Sequence, residues 1–336
     1  MRPFTYQRAE DALGAVQMAS RSNDAPPPAS AQFIAGGTLI LDLMKLGTMQ
    51  PHMLVDINAL DARHGRIEAT PQGLRLGALV RMAQAADDAM IRRDYPVIAE
   101  SLTLAASAQI RNMASLGGNV LQRTRCQYFR DPSWKACNKR EPGSGCAALN
   151  GVNRKHAVLG VSDRCIAAYP GDFAQAMVAL DAQVELFGPA GARTIKFERL
   201  HRSSATPEVE TVLAPSELIT GFLVPVGPWT RRSAYVKIRD RQSYEFALAS
   251  AAVALDMAGD RVREARIALG GVAYRPWRSH AAEQMLSGKP LTEDIAEIAA
   301  RAAFSDAHPR EQNHYKIALG QRTLVRALMQ VGAMEV

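Results

Sequence analysis

The distribution of cysteine constrains this chain more than any other sequence feature. All four cysteines lie within one segment of forty residues, at Cys126, Cys137, Cys146 and Cys165. Their spacing matches neither the paired CxxC of a zinc ribbon nor the CxxCxxC of a bacterial ferredoxin. Buried structural thiols are disfavoured by the polar, Pro- and Gly-rich surroundings, and disulfides by synthesis in the cytoplasm. The pattern favours a four-thiolate metal centre, either zinc or an iron–sulfur cluster.

The same segment holds most of the excess positive charge. The chain has a net charge of +7, and nine Lys or Arg against three acidic residues between Arg123 and Arg164 supply +6 of it. No basic helix or stripe with a nucleic-acid-binding motif accompanies these cations, which argues against nucleic acid as a partner. We expect the charge to stabilise an anionic thiolate centre, and the glycines of "EPGSGC" to aim backbone N–H groups at sulfur.

The composition is that of a globular protein made in the cytoplasm. The 336 residues are 47% hydrophobic and 22% charged, enough for two domains with separate cores. No run of about 18 apolar residues is present, which argues against a membrane-spanning helix. Glu10 and Asp11 interrupt the N-terminal stretch where a secretory signal needs an apolar core. We expect no signal of its own and no membrane contact, so the periplasm would be reached only by co-export with a signal-bearing partner.

The order of predicted elements indicates an α+β protein. The Pro- and Gly-rich stretch Val224–Ser233 is the best domain boundary. Before it, short strands and helices surround an "APPPAS" turn at Ala25–Ser30, and Asp172 is placed to cap a helix. Beyond it, three strands form a small antiparallel sheet. Helices that cover this sheet are predicted over Ser279–Leu286, Thr292–Phe304 and Gln321–Met334.

Two diglycine turns suggest a phosphate-binding site. Gly36-Gly37-Thr38 follows a predicted strand and precedes a helix, where backbone N–H groups can cradle a phosphate. The second turn is "SLGGN", Ser115–Asn119, with polar flanks. Taken singly, each is more typical of a tight βα turn or a hairpin corner, because neither is GxGxxG or a Walker loop. Two such turns together favour one diphosphate ligand.

Three ordered segments resemble one known family. "FIAGGTLILDLMK", "QIRNMASLGGNV" and "PGDFAQAMVALDA" resemble the flavoprotein subunit of the molybdenum hydroxylases, the xanthine dehydrogenase family, and the resemblance extends over essentially the whole chain. It implies a two-lobed FAD-binding domain of the PCMH type at 1–226, with an insert at about 122–166. It also implies a C-terminal α+β domain at 231–336 similar to that of the CO dehydrogenase flavoproteins.

The resemblance implies positions for non-covalent FAD. The first glycine turn would wrap the diphosphate, and the second turn with Ser107 would form another wall. Asp172 would contact the cofactor, Ile219 would pack near the flavin and Lys237 would lie close to its ring. Without a ligand, these three would be an N-cap, a core residue and a solvated strand residue. The implied FAD-binding residues are Ile34, Ala35, Gly36, Gly37, Thr38, Leu39, Ile40, Leu41, Ser107, Ser115, Gly117, Gly118, Asn119, Asp172, Ile219 and Lys237.

The cysteine segment narrows the resemblance to two branches that carry an extra [4Fe–4S] cluster at this place. These are the bacterial periplasmic aldehyde oxidoreductases and the 4-hydroxybenzoyl-CoA reductases, and "LQRTRCQYFRD" with the stretches that follow looks more like the first. The implied cluster ligands are Cys126, Cys137, Cys146 and Cys165. His156 is interpreted as a surface residue rather than a ligand.

No motif for substrate catalysis is present in the sequence. The resemblance therefore implies an electron-transfer subunit of a heterotrimer. Aldehyde would be oxidised at a molybdenum cofactor on a large partner, and electrons would pass from the [2Fe–2S] clusters of a small partner through FAD to an external acceptor. The alternatives are a flavin subunit of the hydroxybenzoyl-CoA reductase type and a zinc-stapled scaffold protein without flavin.

Overall fold

The computed structural model describes residues 1–22 and 31–336, so the turn predicted at Ala25–Ser30 lies outside the described residues. The α+β class is confirmed, with the described strands arranged in three sheets. In the first sheet all pairs are parallel, in the order β1-β3-β2. Its strands are β1 (Thr5–Arg8), β2 (Ala31–Ile34) and β3 (Met53–Asp56).

The other two sheets are antiparallel. The second, in the order β4-β5-β8-β6-β7, contains β4 (Ile67–Thr70), β5 (Gly73–Gly77), β6 (Gln183–Gly188), β7 (Gly191–Lys196) and β8 (Leu218–Pro225). The third, in the order β12-β11-β10-β9, contains β9 (Ser233–Ile238), β10 (Ala249–Ala258), β11 (Arg261–Gly270) and β12 (Trp277–Arg278).

Helices connect the sheets and cover them. Those of the N-terminal part are α1 (Ala12–Ser22), α2 (Ile40–Lys45), α3 (Asp61–His64), α4 (Met82–Asp87), α5 (Ala89–Asp94), α6 (Pro96–Thr103), α7 (Ala108–Met113), α8 (Leu116–Val120), α9 (Gln127–Arg130) and α10 (Phe173–Ala179). Those of the C-terminal part are α11 (His280–Leu286), α12 (Glu293–Ala303) and α13 (Tyr315–Gly332). No helix within residues 1–22 and 31–336 is both long enough and apolar enough to cross a bilayer.

The C-terminal sheet is buried on both faces. Along β10, Ala252 and Ala254 join the core of the N-terminal part, whereas Val253 and Leu255 join a core with the C-terminal helices. This alternation follows from the two-residue period of a strand. The sheet therefore joins the two parts of the chain, and small alanine side chains let helices approach it closely.

Two local predictions differ from the structure. The last helix begins at Tyr315 rather than at Gln321, because its first turn is fixed by tertiary contacts. The Lys316 ammonium is buried there and donates to the carbonyl oxygens of Lys155 and Gly271, at 3.1 and 2.7 Å. The "SLGGN" stretch begins a helix instead of a turn, since the hydroxyl of Ser115 accepts from the backbone N–H of Gly118 and caps α8.

The cysteine segment contains little regular structure. Between α8 and α10 the described chain has one four-residue helix, α9, with turns and isolated bridges around it. Six of its nine cations form ion pairs with carboxylates outside the segment. Their partners are Asp42, Glu210, Asp240 and Glu245. Most of the positive charge thus attaches the segment to the rest of the protein, which corrects the expectation that it surrounds the thiols.

Candidate functional site

A cavity of about 710 Å³ lies between the loop after β2, the segment around α7 and α8, and the loop after β9. Its volume is typical of small-molecule sites. Ten of the predicted FAD positions line it: Ala35, Gly36, Gly37, Thr38, Leu39, Ile40, Ser115, Gly118, Asn119 and Asp172. The six that lie outside its lining are Ile34, Leu41, Ser107, Gly117, Ile219 and Lys237.

The two glycine segments form adjoining walls of this cavity. A Cβ atom on Gly36 would lie 1.9 Å from the carbonyl oxygen of Met113, just before the second segment. No larger residue fits without displacing one wall from the other. Gly37 has a φ of +70°, which favours glycine and turns the chain from β2 into α2.

Asn119 presents an unpaired acceptor at the second wall. Its amide nitrogen lies 3.5 Å from the sulfur of Met82, and its buried Oδ1 has no hydrogen-bond partner. An unsatisfied buried oxygen is costly unless a ligand or water donates to it. Ser107 differs, because its hydroxyl already accepts from the backbone N–H of Ile110 and caps α7.

Asp172 is held by two side chains from the C-terminal sheet. Its Oδ1 accepts from the Tyr235 hydroxyl at 2.7 Å, and its Oδ2 from the Lys237 ammonium at 2.7 Å. Asp172 occupies the N-cap position of α10 but makes no capping bond, so the capping role is wrong. Lys237 is buried rather than solvated, with 1% of its side chain exposed. Ile219 is buried in the core of the N-terminal part.

The cavity also contains residues that the sequence pattern did not reveal. Asp42, Arg125 and Phe246 line it, the last from the C-terminal domain. Arg125 lies 3.2 Å from the Asp42 carboxylate, and its guanidinium stacks 5.0 Å from the centre of the Phe246 ring. No motif signals these positions, because each depends on segments that are distant in sequence.

The four cysteines line one small cavity beside the larger one. Cys137 and Cys146 face each other across an isolated antiparallel bridge, and the thiols of Cys146 and Cys165 hydrogen-bond to each other. The free volume of this cavity, which other residues line as well, is about 10 Å³. Within the part of the chain that the structure describes, no group of three or more His, Cys, Asp or Glu residues is arranged to hold a metal ion.

Backbone N–H groups point at three of the sulfurs. The donors are Tyr128 and Phe129 to Cys126, Ala148, Leu149 and Ile166 to Cys146, and Ala167 to Cys165. The predicted glycine donors are not among them. The N–H groups of Gly143 and Gly145 donate to the side-chain oxygen of Asn138 instead, each at 3.0 Å. Five of these six donors lie two or three residues after the cysteine that they bond, and Ile166 reaches Cys146 from the position after Cys165.

The thiols differ in acidity. Burial raises the pKa of Cys126 to about 11. The hydrogen bond from Cys165 lowers the pKa of Cys146 to about 6, with backbone donors adding to the effect. The same bond and burial raise the pKa of Cys165. The hydrogen bond therefore makes Cys146 the more acidic thiol of the pair and Cys165 the less acidic one.

His156 is buried beside the thiols, which corrects its interpretation as a surface residue. Its Nε2 lies 3.1 Å from the sulfur of Cys126. Burial lowers the pKa of His156 to about 4, and the nearby Lys316 ammonium lowers it further. The imidazole is therefore neutral at pH 7 and neighbours a candidate ligand.

Comparison with known proteins identifies relatives over the full chain. Residues 2–227 match the model described as the FAD binding domain in molybdopterin dehydrogenase, and residues 234–331 match the CO dehydrogenase flavoprotein C-terminal domain. The aldehyde oxidoreductase FAD-binding subunit PaoB of Escherichia coli K12 is 45% identical, with 99% of each chain covered. The carbon monoxide dehydrogenase medium chain of Hydrogenophaga pseudoflava is 26% identical, covering 89% of this chain and 88% of that one.

Solved structures agree with this fold. A chain of reconstituted CO dehydrogenase from Oligotropha carboxidovorans superposes with a TM-score of 0.77 at 24% identity, over 100% of both chains. A chain of the carbon monoxide dehydrogenase from Hydrogenophaga pseudoflava gives a TM-score of 0.76 at 25% identity, over 99% of this chain and 98% of that one.

Proposed function

The chain belongs to the family of FAD-binding subunits of the molybdenum hydroxylases, which are oxidoreductases, and we propose that it serves a heterotrimeric aldehyde oxidoreductase. In this proposal it carries FAD and a [4Fe–4S] cluster, takes electrons from the [2Fe–2S] clusters of a small partner and passes them to an external acceptor. Aldehyde oxidation to carboxylic acid takes place on a large molybdenum-containing partner. The observation that carries the proposal is 45% identity over 99% of both chains to the aldehyde oxidoreductase subunit.

The larger cavity fits FAD in size and chemistry. The loop of Gly36, Gly37 and Thr38 would hold the diphosphate with backbone N–H groups, and the unpaired oxygen of Asn119 would accept a hydrogen bond from the cofactor. Asp172 is fixed from behind by Tyr235 and Lys237, so its carboxylate can orient a donor without moving. When bound, FAD would supply the electron exchange between partner and acceptor.

The donor set of the smaller cavity fits a four-thiolate cluster. Four cysteines line it, and six backbone N–H groups already point at three of their sulfurs. Hydrogen bonds to sulfur stabilise anionic clusters and set their potential. The cavity volume of about 10 Å³ means that its lining must open to admit a cluster. When bound, the cluster would supply a one-electron centre next to the flavin cavity.

The test of the proposal is aldehyde-dependent reduction of flavin in the assembled complex without oxygen. We expect the blue flavin band to bleach when aldehyde is added and to return with an electron acceptor. Bleaching by an aromatic acyl-CoA system instead of aldehyde would favour the hydroxybenzoyl-CoA reductase type. A colourless protein that contains zinc would overturn the proposal and favour a scaffold.

The proposal also concerns location. We propose that the chain reaches the periplasm only while bound to a signal-bearing partner. Fractionation of cells that express the complex tests this, because deletion of the partner's signal should then retain both chains in the cytoplasm. A periplasmic chain in cells that lack all partners would contradict the co-export route.

A further inference from the structure

Leu39 lies between the two candidate cofactor sites. It belongs to the loop that would hold the FAD diphosphate, and its side chain lines the larger cavity. It also packs against an apolar cluster formed by Leu43, Phe129 and Cys137. Met49 and Cys126 pack against the same cluster. One half-buried leucine therefore faces the flavin cavity and the thiol centre together.

The other members of this cluster are apolar and largely buried. Leu43 is fully buried, Phe129 is 1% exposed and Cys137 is 8% exposed. Met49 lines the larger cavity beside Leu39. The guanidinium of Arg123, which also lines the larger cavity, stacks 4.5 Å from the centre of the Phe129 ring. Leu39 and Met49 therefore lie between the larger cavity and the thiols on this side of the cluster.

We infer that Leu39 is a positioning residue that seals the thiol centre from the water of the flavin cavity and thereby sets the reduction potential of the bound cluster. The inference rests on the proposed [4Fe–4S] centre. The apolar shell around a metal site controls solvent access and local dielectric, and both shift its potential. Reduction makes a four-thiolate cluster more negative, so water or a donor admitted near it favours the reduced form and raises the potential.

The test compares Leu39→Asn, Leu39→Asp and Leu39→Met in the intact complex. Asn matches the branching of Leu but is smaller and polar, so the cluster potential should rise and bleaching of the cluster in air should become about tenfold faster. Leu39→Asp adds a negative charge, so the cluster potential in this variant should lie below that in Leu39→Asn. Leu39→Met keeps the position apolar, so the cluster potential in this variant should equal that of the wild type. The EPR signal that disappears in Cys137→Ser identifies the cluster among the partner's centres.

A matched control is Leu46→Asn, at the end of α2 on a side chain that is 40% exposed, which should change neither quantity. Equal cluster potentials and equal bleaching rates for wild type and Leu39→Asn would overturn the inference about Leu39. This outcome would leave the proposal of a cluster unaffected. A wild-type complex without this signal would overturn the cluster proposal instead. If Leu39→Asn does not assemble, Leu39→Thr places a hydroxyl at the same position in a side chain of similar volume to Asn, and an unchanged potential there overturns the inference equally.

Discussion

The flavin cavity and the thiol segment lie side by side, but they are held in place differently. The cavity walls are set by close packing of the main chain, as where Gly36 contacts the Met113 carbonyl. The thiol segment has one short helix and is attached by ion pairs to Asp42, Glu210, Asp240 and Glu245. Packing of the main chain tolerates little change in residue size, whereas ion pairs depend on charge and burial.

This difference shows how the segment fits into the fold. Its attachment points belong to α2, to the loop before β8 and to the loop after β9, and the three sheets need no strand from it. The local excess of cations in the sequence is therefore explained by carboxylates placed elsewhere in the chain. Among the nine cations, Lys139 and Arg164 line the thiol cavity itself.

The largest expected effect comes from breaking the most buried attachment. Lys139 has 4% of its side chain exposed and lies 2.5 Å from Glu210, which also pairs with Arg123 at 2.5 Å. Glu210→Gln removes the shared anion and leaves a buried ammonium without a countercharge. We expect a loss of about 3 kcal/mol in the free energy of unfolding, measured by chemical denaturation, with early exposure of the thiols to a sulfhydryl reagent.

The matched control is a solvent-exposed pair. Arg301 and Glu297 form an i,i+4 pair with 60% and 52% of their side chains exposed, so Glu297→Gln should cost at most about 0.5 kcal/mol. Equal losses in the two variants would mean that the Glu210 pairs do not hold the segment.

The next effect concerns the packed walls of the flavin cavity. Gly36→Ala places a methyl group where the Met113 carbonyl lies, which should cost about 1–3 kcal/mol or displace one wall. If the walls move apart to avoid this clash, bringing them together around FAD costs free energy. A cost of about 1.4 kcal/mol would lower FAD affinity about tenfold. Flavin content per chain after purification measures this.

Gly14→Ala, in the exposed part of α1, is the control for a new methyl group. Its nearest neighbour would be a side-chain oxygen at 3.3 Å, so flavin content should not change. Retention of full flavin content by Gly36→Ala would show that the walls can separate without affecting the cavity.

At neutral pH the smallest effect comes from a buried histidine, whose titration changes stability only in acid. His201 is buried, its Nε2 lies 2.9 Å from the carbonyl oxygen of Val120 at the end of α8, and burial lowers its pKa to about 4. The unfolded chain binds this proton near pH 6.5, so the folded state is stabilised fully above that value and loses stability as the pH falls towards 4. The slope is at most about 1.4 kcal/mol per pH unit.

His201→Gln can still donate to Val120 but does not titrate. We expect the variant to lose stability less steeply than the wild type between pH 6.5 and 4, in unfolding midpoints measured across that range. If stability falls equally with pH in the wild type and in His201→Gln, the folded protein does not disfavour protonation of this imidazole.

The sequence predicted most of what depends on local pattern. Strands β4, β5, β9, β10 and β11 and the loop at Gly36 follow from hydrophobic period and turn residues. Long-range features were missed for a physical reason: burial of Lys316, the contact of His156 with Cys126 and the hold of Tyr235 on Asp172 each join distant segments. The family resemblance supplied the cofactor positions, ten of which line the cavity.

The central claim is that the thiol segment holds an iron–sulfur cluster beside an independently held flavin. Iron and flavin content of the assembled complex, compared between wild type and Cys137→Ser, tests it most directly. The account predicts that the variant loses about four iron atoms per flavin and keeps its flavin and partners. Equal iron content in the two complexes would contradict it.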